Sequence, residues 1–306
     1  MRSTRGSATI RAFGTRVLVV TLAVSTWSLA PARPAAAQES DQLTDSPAVS
    51  LPEEIFGGSG TKDDPPVNID AVSVYAAERG LVGVAVFDRR TGTYDDNGAA
   101  AHSPMGSASV IKVLMSEEIL HRAAMGQIQL GPTEYASIET MLVDSNDPAA
   151  SSLYSQFGGV ALIMAALTRH GMTESSAPAD PQYWGNTKIS AHDIAVFYNS
   201  MLAGSLPAES REYLLDLLRR TAPVASDGFG QIFGLAGGDP TLNVAVKQGW
   251  MCCLDGVRNV HSTAVLGDQN RYVVIILTQY SPDLPWEHGL TTTTELAQLV
   301  LDQLEV

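Results

Sequence analysis

The chain is short of cysteine, lysine and histidine, and each scarcity removes a class of function. Its two cysteines, Cys252 and Cys253, are adjacent, so no disulfide framework is possible. The pair reads as two small buried thiols, with a vicinal disulfide or an intermolecular link as alternatives. The six histidines are scattered, without His-x-x-x-His or Cys-x-x-Cys spacing, so neither a metal nor an organic cofactor is expected. Positive charge is scarce: 19 basic residues face 33 acidic ones in 306 residues, a net of −14. Such a surface repels polyanions, which sets aside nucleic acid and anionic membranes as partners. The one long apolar run, from Val17 to Ala30, is broken by Ser25, Thr26 and Ser28 and is too short for stable membrane insertion.

That run has another reading. Arg2, Arg5, Arg11 and Arg16 precede it and Ala35-Ala36-Ala37 follows it, the pattern of a cleavable signal peptide over residues 1–37. A secreted, extracytoplasmic protein is expected, and no cysteine near the cleavage site suggests lipid attachment. Removing the signal takes away five arginines and leaves 14 basic against 33 acidic residues, a net of −19. Residues 38–66 are polar, acidic and rich in Ser, Gly and Pro, and read as a flexible linker. Residues 67–306 are the folded domain, expected as a monomer.

Within it, hydrophobic periodicity places a short helix at Asp70–Glu78 and a strand at Leu81–Asp88, turning at Arg89–Gly92 into a strand around Thr93-Tyr94. Helical patterns cover Ser109–Ala124, Glu134–Val143, the segment after Pro148 capped by Asp147, Val160–His170, Ala191–Leu202 and Ser210–Arg220. A long loop separates two of them at Met172–Lys188. Strands follow at 244–250, 261–266 and 271–277, then a closing helix from Thr294. This order predicts an α/β (α+β) fold: one antiparallel sheet built from both ends of the chain, flanked by terminal helices, with an all-helical lobe inserted at about 109–205.

The chemistry concentrates at Ser109-Val110-Ile111-Lys112. At the start of a helix, positions three apart share a face, so the Lys112 amine falls beside the Ser109 hydroxyl. A serine needs a neighbouring base to become a nucleophile, and a lysine serves only where burial lowers its pKa. The apolar neighbours Val110, Ile111, Val113 and Leu114 supply that burial. A second Ser-x-x-Lys, Ser59 to Lys62, lies in a glycine-rich stretch with no helix behind it and is set aside.

With Ser145-Asn146-Asp147 and Lys247-Gln248-Gly249-Trp250 following in order, the domain resembles the class A β-lactamases and their relatives, the penicillin-recognising serine hydrolases. The resemblance implies that Ser109 is acylated, Lys112 acts as its base, and Ser145 passes a proton to the leaving nitrogen. Lys247 would bind a substrate carboxylate, Gly249 would let the substrate approach, and the Trp250 N–H would join that of Ser109 as an oxyanion donor. Asp147 stands where the family has a substrate-binding asparagine and would raise the pKa of Lys112. Gln248 replaces a small hydroxyl residue. Glu174 is the candidate for the base that positions the deacylating water, and Arg258 or His261 for an additional cation. The implied substrate is a β-lactam or a peptidoglycan-like peptide. A D-alanyl-D-alanine carboxypeptidase, an esterase or amidase, and a catalytically silent binding protein of the cell envelope are the alternatives. Ser109 and Ser145 are closer in sequence than in class A enzymes, which implies a more open cleft.

Overall fold

A computed structural model of the chain describes residues 67–238 and 242–305. The expected signal peptide and the whole of the linker lie outside the described residues. The chain starts with α1 (Ile69–Ala77), then β1 (Leu81–Asp88) and β2 (Thr93–Asp96) form a hairpin. Every second side chain of β1 faces the same way. Ala85 and Phe87 enter one apolar cluster while Val82, Val84 and Val86 enter another, so both faces of this strand are buried.

Next come a two-residue strand, β3 (Met105–Gly106), a 3-10 turn at Ala108–Val110 and the helix α2 (Ile111–Ala124). Residues Ile111–Leu120 are buried all round, including Lys112, Glu117 and Glu118, which makes α2 the central post of the helical lobe. Around it lie α3 (Pro132–Val143), α4 (Asp147–Gln156), α5 (Val160–Arg169), α6 (Ala191–Ser200) and α7 (Ala208–Arg219). Between α5 and α6, β4 (Lys188–Ile189) pairs with β3 through Met105↔Ile189 and Gly106↔Lys188, tying the loop of residues 170–188 to the Ser109 segment.

The chain then returns to the sheet with β5 (Ala245–Cys252), β6 (Arg258–Leu266) and β7 (Tyr272–Tyr280), and closes with α8 (Trp286–Leu301). The five-stranded sheet is antiparallel in the order β2-β1-β7-β6-β5, so β7 pairs with β1 from the opposite end of the fold. One face carries α1 and α8, the other the helical lobe. Among the described residues, no single helix is long and apolar enough to cross a membrane.

Three local expectations are corrected. The cap of α4 is Asn146, whose side chain accepts from the Ala149 N–H, and this frees the Asp147 carboxylate for other use. Helix α8 begins eight residues before Thr294, at Trp286. Its threonine run is accommodated because Thr292, Thr293 and Thr294 each donate to the carbonyl four residues back. Cys252 and Cys253 are exposed and joined to one another as a vicinal disulfide, not buried as free thiols.

Candidate active site

The 3-10 turn holds Ser109 against the outer edge of the sheet. A Cβ on Gly249 of β5 would sit 3.2 Å from the Ser107 carbonyl oxygen and 3.3 Å from the Ser109 nitrogen, so glycine lets the strand approach this closely without pushing the turn away. The contact lays the backbone of Trp250 beside that of Ser109, and both residues line a cleft of about 290 Å³. Two non-glycine residues here adopt left-handed backbone: Ala108, just before the serine, with φ +47°, and Ser145, with φ +51°. Each such residue costs about 1 kcal/mol or more, and a strained backbone of this kind concentrates at functional sites.

Ser145 lies between the two lysines. Its hydroxyl is 3.3 Å from Lys112 Nζ and 3.0 Å from Lys247 Nζ. Lys112 also donates to the Ser145 carbonyl at 2.7 Å and to Asp147 Oδ1 at 2.6 Å, while Lys247 donates to the Gln248 carbonyl at 3.1 Å. Both amines are fully buried. Burial pulls the Lys112 pKa below the usual lysine range, with the nearby Asp147 carboxylate pushing back. Asp147 raises it, as expected, but desolvation is the larger effect and sets the net direction. Lys247 is pushed down further, by burial and then by the charge of Lys112.

The walls of the cleft are aromatic. Trp184, Tyr183, Gln182, Gly185 and Asn186 come from the loop of residues 170–188, and Trp250 and Met251 from β5. Lys112 Nζ lies 5.1 Å from the Trp184 ring centroid and Lys247 Nζ lies 5.9 Å from that of Trp250. Trp250 is fixed by stacking on Phe229 and by an indole N–H donated to Asp227 at 2.9 Å. Trp184 donates to Ser151 Oγ at 3.1 Å.

A model of the beta-lactamase enzyme family matches residues 136–304. The chain belongs to that family. Among curated proteins, one named "Putative lipoprotein LppW" from Mycobacterium tuberculosis is 36% identical over 203 residues, 66% of this chain and 64% of its own length. Its counterpart from Mycobacterium bovis matches equally, so the chain spans less than two thirds of these relatives. A beta-lactamase from Chitinophaga pinensis superposes with a TM-score of 0.65 at 16% identity, over 76% of this chain and 98% of that one. A class A beta-lactamase representative from Bacteroides cellulosilyticus gives 0.64 at 11% identity, over 79% and 99%. At such identities the likeness establishes the β-lactamase fold.

Against that fold, the structure brings together Ser109, Lys112, Ser145, Asp147, Lys247, Gly249 and Trp250, from three separate stretches of sequence. It does not bring Glu174 to them. The Glu174 carboxylate is 2.6 Å from His102 Nδ1 and accepts from Ser190 Oγ at 2.6 Å, and it is absent from the cleft lining. Gln248 is buried away from the cleft, donating to the carbonyls of Gln231 and Phe233. Neither proposed extra cation serves. His261 accepts from the Thr278 N–H and donates to the Gly106 carbonyl, and burial pushes its pKa down to about 4, so the ring is neutral. Arg258 lies over the Trp286 ring. Sequence reasoning missed Trp184. The length of the Met172–Lys188 loop singles out the segment but not the residue.

Proposed function

We propose that this chain is an extracytoplasmic serine hydrolase that opens β-lactam rings through an ester on Ser109. The observation that carries the reading is the Ser145 hydroxyl held 3.3 Å from Lys112 Nζ and 3.0 Å from Lys247 Nζ, beneath the cleft that Ser109 lines. In its neutral form Lys112 needs two N–H donors for the Ser145 carbonyl and Asp147, which leaves the nitrogen lone pair to accept the Ser109 proton. The Ser109 oxygen then bonds to the lactam carbonyl carbon, and the N–H groups of Ser109 and Trp250 hold the oxyanion. The carbon–nitrogen bond breaks as Lys112 passes its proton through Ser145 to the leaving nitrogen. Lys247 pairs with the substrate carboxylate, and Asp147, Gly249 and Trp250 shape its seat. Placement outside the cytoplasm is supported by the basic and apolar start of the chain and by the lipoprotein name of its relatives.

Hydrolysis of the ester needs a group to position water. Asp147 is the one carboxylate among the described residues lining the cleft, and it is held by Lys112. This favours slow deacylation and a long-lived acyl-enzyme, the behaviour of a penicillin-sensitive D-alanyl-D-alanine peptidase. Intact-protein mass spectrometry after incubation with benzylpenicillin tests both parts. A covalent adduct that maps to Ser109 and is absent in Ser109→Ala supports acylation, and its persistence for minutes supports slow release. No adduct and no hydrolysed penicillin would overturn the enzyme reading in favour of a silent binding domain.

A further inference from the structure

Outside the cleft, β2, the turn after it and the first turn of α6 assemble a second group of ligating side chains. One carboxylate oxygen of Asp96 and one ring nitrogen from each of His102 and His192 all lie within 4.8 Å of one another. His102 Nε2 is 3.1 Å from Asp96 Oδ2, and the two imidazoles stack with centroids 4.6 Å apart. The Tyr94 hydroxyl donates to Asp96 Oδ2 at 2.7 Å and stands 2.9 Å from His192 Nδ1. On the far side of His102, Glu174 Oε1 accepts from Nδ1 at 2.6 Å while Ser190 Oγ holds the other carboxylate oxygen.

We propose that Asp96, His102 and His192 form a binding site for a divalent transition metal of the zinc type, with Glu174 orienting His102 from behind. Two imidazoles and one carboxylate are a donor set that zinc takes when its fourth position is left to water. Ligands at 2.0–2.1 Å in a tetrahedron stand about 3.3 Å apart. The Asp96–His102 pair stands near that spacing, and the His192 nitrogen, within 4.8 Å of both, would draw in on binding to supply the third corner. Glu174 supplies the outer partner that a metal-bound histidine needs: by accepting the Nδ1 proton it leaves Nε2 as the ligating nitrogen. Asp96 and Glu174 both lie against His102, so an ion bound there would have two carboxylates close by to offset its charge. His102 is exposed along one edge, which gives the ion a way in.

The site joins the hairpin of β1 and β2 to α6, and through Glu174 it reaches the loop whose residues 182–186 wall the cleft. Its role is therefore to anchor that loop, and it stands independently of the chemistry at Ser109.

The full, untagged chain, stripped with chelator, is titrated with Zn²⁺ by calorimetry and with Co²⁺ by absorption spectroscopy. One equivalent should bind with a dissociation constant of about 1 μM or tighter, Zn²⁺ should raise the melting temperature, and the Co²⁺ spectrum should show d–d bands without thiolate charge transfer. Binding should fall by roughly 100-fold or more in Asp96→Asn/His192→Ala and by about 10–100-fold in Glu174→Gln. Absence of Zn²⁺ and Co²⁺ binding at about 100 μM would overturn the site, leaving His102 as a bridge between two carboxylates. So would unchanged affinity in both variants, or a thiolate band, which would place the metal at Cys252 and Cys253. If the double variant fails to fold, the milder Glu174→Gln and the wild-type cobalt spectrum decide.

Discussion

The Asp147 carboxylate oxygen sits 2.6 Å from the Lys112 amine, an ion pair with one partner fully buried and the other 66% exposed. Burial works to neutralise the lysine and Asp147 works to keep it charged. That contest sets how much free amine is available to take the Ser109 proton.

Asp147→Asn removes the opposing charge. Without it the Lys112 pKa falls further, a larger fraction of the amine is neutral at pH 7, and acylation by penicillin speeds up by about tenfold or more. The rate rises with pH as Lys112 deprotonates, so the midpoint of that rise should move to lower pH in the variant. Stopped-flow acylation with a chromogenic cephalosporin across pH checks both. A profile that stays in place would remove Lys112 as the base.

Gly249→Ala forces β5 away from the turn that carries Ser109, because the new methyl meets the Ser107 carbonyl, the Ser109 nitrogen and Val110 at 3.2–3.3 Å. The two oxyanion N–H groups then separate by a few tenths of an ångström. Acylation should drop by roughly 10²-fold while far-UV circular dichroism stays unchanged. Equal rates would show that these two amides do not act together.

Lys247→Met should trade substrate binding for stability. The folded state holds the Lys247 pKa well below its ordinary 10.5, so between the two values the unfolded chain binds more protons and wild-type stability rises with pH. Replacing the buried cation by an apolar side chain should stabilise the fold at pH 7 by roughly 1 kcal/mol or more. The gain should shrink as pH rises toward and past 10.5, above which neither state is protonated. Denaturant melts at several pH values measure it, and a loss of stability at pH 7 would contradict this account.

Glu117 in α2 accepts from Arg169 at 3.0 Å and meets His170 Nε2 at 3.0 Å, fully buried. Burial alone would raise its pKa, but the hydrogen bonds of His170 and Arg169 outweigh burial and lower it below 4.5. A depressed carboxylate stabilises the fold above its unfolded pKa and loses that contribution as pH falls through the folded value. Glu117→Gln should cost about 3 kcal/mol at neutral pH, with the deficit narrowing below pH 4.5 in chemical denaturation. A pH-independent deficit would mean that the pair acts through packing and not through charge.

Much of this molecule was legible along the chain. The strand at Leu81–Asp88 and the helices around α2, α3 and α5 follow from local periodicity, and their order predicts the sheet built from both termini. The failures were of a different kind. Asn146, not Asp147, caps α4, because either side chain can accept from the same turn and only the position of Lys112 decides which is drawn elsewhere. Glu174 matches the expected place in the loop, yet its carboxylate is taken by His102, 72 residues earlier.

The sequence by itself determined which segments become strand and helix and which three stretches carry a serine or lysine able to do chemistry, since capping, periodicity and motif spacing act over a few residues. Tertiary structure alone decided that Ser145 falls between Lys112 and Lys247, that Gln248 turns away from the cleft, that Trp184 forms its wall and that Glu174 leaves it. Those outcomes depend on desolvation and on hydrogen bonds between groups that meet only when the helical lobe closes on the sheet, and no local pattern encodes which of several competing partners comes within reach.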